Sequence, residues 1–141
     1  MNVLGVDLTG SDAVICFLIG EDQEYTLADF RVRKLTLSKK HDRKDIQKFQ
    51  FDFSKLIADY KINLVAIRER MTKGKFAGGA ISFKMEAALQ LIPEANSILL
   101  SSSQIKDALA ESPIPIAFAE TGLKVFQEGA FKVAYAAHIL K

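Results

Sequence analysis

Residues 2–11 constrain this chain more than any other stretch. Val3, Leu4 and Val6 form an apolar run without polar alternation, which predicts a strand buried on both faces. Gly5 leaves room within it for close packing. Asp7 then places a carboxylate where the run should continue, and Thr9, Gly10 and Ser11 follow as a turn. A carboxylate at the end of a buried strand is costly unless a cation or a hydrogen-bond donor meets it. The main structural motive for Asp7 is an Asx-type bond to that turn, and a functional role is the stronger reading.

Hydrophobic periodicity orders the rest. Residues 13–19 form a second continuous apolar strand, joined to the first by a hairpin. Residues 25–37 alternate loosely, which predicts a third, edge-like strand and an antiparallel meander of three. From 42 to 60 the period becomes helical, with Ile46, Phe49, Phe53, Leu56, Ile57 and Tyr60 on one face. Residues 63–70 read as a fourth strand, 72–79 as a basic glycine-rich loop, and 80–91 as a second helix. A short fifth strand at 97–100 leads to Ser101, Ser102 and Ser103, which offer an N-cap for a helix through Ala110. Pro113 and Pro115 break that helix, and the last one runs over about 121–140. Three meander strands followed by αβ units predict an α/β fold: a mixed sheet, strand order 3-2-1-4-5, with helices on both faces. The 141 residues suit a single domain spanning 1–141.

Composition excludes several classes. The lone cysteine, Cys16, rules out an internal disulfide and argues against a thiolate metal site; inside an apolar strand it reads as a buried inert thiol. No apolar stretch has the length of a membrane span and no signal peptide is recognisable, so the cytoplasm is the expected compartment. The net charge of +2 argues for no partner by itself. Its distribution says more: eight Lys or Arg against two Asp lie between Arg31 and Lys48, and Arg68, Arg70, Lys73 and Lys75 form a second basic group. Such runs are either solvated surface or a phosphate-binding patch. His41, in the basic loop, should be exposed; His138 should favour the last helix's C-terminal dipole.

In this topology the first and fourth strands are parallel neighbours, so Asp7 and Glu69 end adjacent strands at the edge where α/β sheets bind ligands. Two carboxylates there invite a divalent cation, and hard oxygen ligands suit Mg²⁺ or Mn²⁺. A third ligand would come from the last helix, where Glu128 is the candidate and Gly129 and Ala130 let the helix approach the sheet. The competing reading of Glu128 is a surface ladder of Lys124, Glu128 and Lys132, and that of Glu69 is a salt bridge to Arg68 or Arg70. Asp7, Glu69 and Glu128 are thus the expected catalytic and metal-binding residues. Arg68, Arg70, Lys73 and Lys75 are the expected nucleic-acid phosphate contacts, and Gly78-Gly79 could offer backbone N–H groups.

The leading Val-Leu-Gly-Val-Asp-Leu-Thr-Gly-Ser, the strand ending at Glu69 and the helix with Glu128 resemble the RNase H-like superfamily, and within it RuvC-type Holliday junction resolvases and their bacterial relatives. Chain order carries the likeness more than any motif. The resemblance puts the family's first catalytic Asp on Asp7 and its fourth-strand Glu on Glu69. Gln104-Ile105-Lys106 is similar to a Gln-Val-Lys stretch, which makes Lys106 a phosphate contact; its plainer reading is an exposed helix lysine. RuvC-type enzymes carry two acidic residues three apart on the final helix. Glu128 matches the first, whereas Phe131 holds the second position.

The resemblance implies a Mg²⁺- or Mn²⁺-dependent endonuclease or nuclease-like protein acting on structured DNA or RNA, and a homodimer. Two other functions stay open. The Asp-Leu-Thr-Gly-Ser turn also resembles the phosphate loop of actin-like ATPases, which points to a nucleotide-phosphate binder. Phe131 speaks for a non-catalytic nucleic-acid- or protein-binding module that kept the fold and lost the chemistry.

Overall fold

A computed structural model describes residues 1–75 and 78–141. Strands β1 (Asn2–Thr9) and β2 (Asp12–Glu21) form an antiparallel hairpin in full register, from Asn2 opposite Ile19 to Thr9 opposite Asp12. Gly10, with φ of +60°, supplies the left-handed residue of the tight turn. Strand β5 (Leu64–Arg68) lies parallel to β1 on its other side, and β6 (Asn96–Leu100) lies parallel to β5.

The third strand of the expected meander is two. β3 (Glu24–Leu27) and β4 (Lys34–Thr36) both pair antiparallel with β2, giving the order β3-β2-β1-β5-β6 with β4 beside β2 as well. Leu27 faces Leu18 and Lys34 faces Val14, so four steps on β2 are matched by seven on its partner. The surplus residues leave the ladder and carry Phe30 into an aromatic cluster, its ring centroid 5.6 Å from Phe17 and 4.7 Å from Tyr60. Packing of one aromatic ring overrides the strand pattern.

Helices α1 (Arg43–Asp59) and α2 (Ala80–Gln90) cover one face of the sheet; α3 (Ser102–Glu111) and α4 (Glu128–Leu140) cover the other. Asp42 caps α1 by accepting from the Asp45 N–H at 3.0 Å. Ser101 caps α3 in the same way through Gln104. Strand alternation splits the core in two. Leu4, Val6, Leu8, Val65 and Ile67 meet Phe49, Phe53, Ile57 and Met85 on the α1–α2 side. Val3, Leu64 and Ala66 meet Ala130, Val133, Ala134 and Ala137 on the α4 side. Cys16 lies in this second layer, and burial pushes its thiol up to about 12, so it is inert.

The last helix begins at Glu128 rather than near 121. Two short 3-10 turns, Phe118–Glu120 and Val125–Gln127, precede it. Gly122, with φ of +77°, reverses the chain between them, and the Thr121 hydroxyl accepts from the Leu123 N–H. The buried Gln127 then anchors the helix start: its amide donates to the Ile15 carbonyl at 3.0 Å and its oxygen accepts from the Lys124 N–H.

Helix α4 rests on β1 through small residues. A methyl group built on Gly5 would overlap the Ala130 carbonyl and come within 2.8 Å of the Ala134 Cβ. Relief requires moving helix backbone, so Gly5→Ala should lower the unfolding free energy by about 3 kcal/mol, measured by urea denaturation. His138, near the end of α4, has Nε2 2.9 Å from the Leu18 carbonyl, and burial lowers its pKa. The neutral ring is the folded form, so the unfolded chain takes up the proton first. Stability should therefore be complete above about pH 6.5 and fall below it. His138→Gln should flatten that part of the urea-midpoint profile.

Candidate nucleic-acid interface

Where α3 and α4 diverge above the carboxyl ends of β1 and β5, they leave a cleft of about 550 Å³. Its helical walls follow the helical period: Ser102, Ile105, Lys106 and Leu109 from α3, and Glu128, Gly129, Lys132 and Val133 from α4. The floor is Asp7 of β1 and Arg68 of β5. This is the position at which α/β sheets bind ligands.

Register decides which strand residues reach it. Gly5 pairs with Ala66 and Val6 with Ile67 in the parallel ladder, so one step further Arg68 stands level with Asp7 on the same face. Glu69 falls on the opposite face. There it lines a separate depression with Arg70, Met71, Thr72, Lys73, Phe83 and Glu86. The Glu69 N–H continues the ladder to the Leu100 carbonyl, and the Arg70 N–H donates to the Glu86 carboxylate at 3.0 Å. The expected grouping of Asp7 with Glu69 thus gives way to Asp7 with Arg68.

The helical side changes similarly. Glu128 does line the cleft, as the first residue of α4. Phe131 points into the core, 3% exposed, with its ring centroid 6.1 Å from that of Phe118. The two α4 positions three apart that line the cleft are Gly129 and Lys132. A methyl group on Gly129 would overlap the Asp7 carboxylate, so the two are in direct apposition. The ladder of Lys124, Glu128 and Lys132 does not form: the ion pairs among the described residues are Lys34–Asp12 and Lys48–Asp52.

The cleft therefore holds three cations, Arg68, Lys106 and Lys132, and two carboxylates, Asp7 and Glu128. Arg68 is fixed by its Nε and Nη2 donating to the Ser102 hydroxyl at 3.3 and 3.2 Å, at the first turn of α3. Lys106 and Lys132 have no ion-pair partner among the described residues. Asp7 is 8% exposed and has neither a hydrogen-bond nor an ion-pair partner there.

The residues expected around the glycine-rich loop lie elsewhere. Lys73 is exposed beside Arg70 in the Glu69 depression, and Lys75 is exposed outside both cavities. Gly79 is the N-cap of α2, while the Gly78 N–H is taken by the Met71 carbonyl at 2.8 Å. Residues 76 and 77 of the loop lie outside the described residues. The Thr9-Gly10-Ser11 turn does not line the cleft. His41 is half-buried rather than exposed, with Nδ1 2.7 Å from the Lys84 ammonium. Sequence reasoning passed over Lys132 as a surface residue. The signal was the pairing of two small residues: Gly5 beside Ala66, beneath Ala130 and Ala134, sets the register that puts Arg68 next to Asp7.

A divalent metal, implied by the resemblance, does not fit this donor set. Among the described residues no group of three or more His, Cys, Asp or Glu side chains is placed to hold one. Arg68 stands level with Asp7 in the strand register, and Lys132 lies one helical turn beyond Glu128. Like charge at these positions opposes a dication.

The fold is RNase H-like and is shared with RuvC structures. Two solved structures are similar over nearly the whole chain. "Thermus thermophilus RuvC structure" has a TM-score of 0.75 at 12% identity, covering 99% of this chain and 94% of that one. "T. thermophilus RuvC in complex with Holliday junction substrate" has a TM-score of 0.70 at 12% identity, covering 99% and 93%. No curated protein matches in sequence. The chain belongs to the family described as "Protein of unknown function (DUF3010)", which matches residues 1–137. No helix among the described residues is long and apolar enough to cross a membrane.

A cation that bound only the folded protein would raise its melting temperature. Millimolar Mg²⁺ or Mn²⁺ should leave that temperature unchanged in a thermal-shift measurement.

Proposed function

We propose that this protein binds nucleic acid through the α3–α4 cleft, without a metal and without cutting the strand. The observation that carries the reading is Arg68 beside Asp7, where a metal site would need a carboxylate. Arg68 is held at the first turn of α3 by its Nε and Nη2 donating to the Ser102 hydroxyl, and the remaining guanidinium donors suit a phosphate oxygen. Lys106 and Lys132 add mobile positive charge on either wall. Arg68 and Lys106 are thus the phosphate contacts, and Lys132 joins them. Arg70 and Lys73 lie with Glu69 in the depression on the other face of the sheet and Lys75 lines neither cavity, so these three stand outside the proposed contact.

Support also comes from the fold. One of the similar structures is of RuvC in complex with a Holliday junction substrate, so this architecture is compatible with binding a nucleic acid. Hydrolysis is less well supported. Asp7 and Glu128 remain in the cleft, but Glu69 faces away and cations take the intervening places. Metal-assisted activation of water needs converging carboxylates to hold the ion in place.

The test is fluorescence anisotropy with labelled single-stranded and branched oligonucleotides in EDTA. A hydrogen bond to a charged group contributes about 1.5–3 kcal/mol, so Arg68→Ala should weaken binding roughly 10- to 100-fold. Lys106→Ala and Lys132→Ala should each reduce the slope of log affinity against log salt by about one unit. Cleavage in Mn²⁺ that Asp7→Asn abolishes would overturn the non-cutting reading. Absence of binding to every strand would overturn the cleft as a nucleic-acid site.

A further inference from the structure

Three cations account for a phosphate, but they leave Asp7 unexplained. Asp7 as a residue is 8% exposed, its carboxylate lies against Gly129, and it lines the cleft with no hydrogen-bond or ion-pair partner among the described residues. A carboxylate in this position repels a phosphate brought up to Arg68. A ligand that brings a donor as well as an anion would meet both the cations and this carboxylate, with the donor directed at the floor between β1 and β5.

Nucleic-acid backbones differ in just this respect. In DNA the internal sugars between phosphates carry no hydroxyl. In RNA each sugar carries a 2′-hydroxyl on the carbon beside the 3′-phosphate ester, and that hydroxyl is a donor. Base amino groups are donors too, but DNA and RNA share them, so they cannot distinguish the strands. We propose that the cleft selects RNA over DNA, with Asp7 accepting a hydrogen bond from a 2′-hydroxyl while Arg68, Lys106 and Lys132 hold the adjacent phosphate. This rests on the cleft being a phosphate site, as proposed above.

The chemistry makes Asp7 a specificity group. With a donor present its carboxylate accepts a charge-assisted hydrogen bond. With DNA it stays unpaired next to a phosphate. The preference follows from the penalty on the wrong strand as much as from the bond to the right one.

The experiment compares one sequence as RNA, as DNA and as 2′-O-methyl RNA by anisotropy in EDTA, on the wild type and on Asp7→Ala. Wild type should bind RNA about tenfold more tightly than the other two. The 2′-O-methyl strand keeps the sugar geometry and removes the donor, so its weakness would separate the hydroxyl from strand shape. In Asp7→Ala the three affinities should converge, with DNA gaining and RNA losing. Equal binding of RNA and DNA by the wild type would overturn this inference and leave the phosphate cleft standing. A preference that survives in Asp7→Ala would also overturn it. Failure of all three strands to bind would remove the cleft reading itself, and this inference with it.

Discussion

The structure depends on how closely α4 approaches β1. Gly5 gives the helix backbone a place to rest, and Ala130 and Ala134 provide the matching surface. The contact brings the first turn of α4 directly over Asp7, with Gly129 the residue that leaves room for the carboxylate. A larger residue at either glycine would lift the helix and open the floor of the cleft. The geometry of the site is thus a packing result before it is an electrostatic one.

On that scaffold the charges take an unusual arrangement. A strand-end carboxylate is kept almost out of water while Arg68, Lys106 and Lys132 share its cavity without closing an ion pair onto it. Natural proteins bury few unpaired charges, and those they bury tend to mark sites where something else completes the pairing. Ser102 fixes Arg68 from the side, so the guanidinium is held in place before any ligand arrives. Such preorganisation limits the ordering cost of binding.

Much of the fold was legible in sequence. The unbroken apolar run of β1, the helical period of α1 and the serines ahead of α3 each carry their own local signal, and each element forms where that signal lies. The chain order also predicted the mixed sheet. What could not be read were features set by tertiary contact. The third strand breaks because Phe30 is drawn between Phe17 and Tyr60. The final helix starts late because Gln127 reaches across to the Ile15 carbonyl, a partner 112 residues away in sequence. Of the expected site residues, Asp7 and Glu128 line one cleft and Glu69 does not. Arg68 lines that cleft in place of Glu69, because the two are adjacent in sequence and opposite in space. That Gly129 and Lys132 line the cleft while Phe131 packs on Phe118 follows from the rotation of the helix, which spacing in sequence alone does not show.

The divided edge beside β2 has a consequence for how these molecules meet one another. A long flat outer strand displays a continuous row of free amides and carbonyls, onto which a strand of a second molecule can be added. Here β3 and β4 span four and three residues, and the segment between them carries Arg31 and Arg33. The row is interrupted, and positive charge guards the gap. On this side the sheet resists extension, so crowding of the molecules does not by itself favour strand-to-strand polymerisation across that edge.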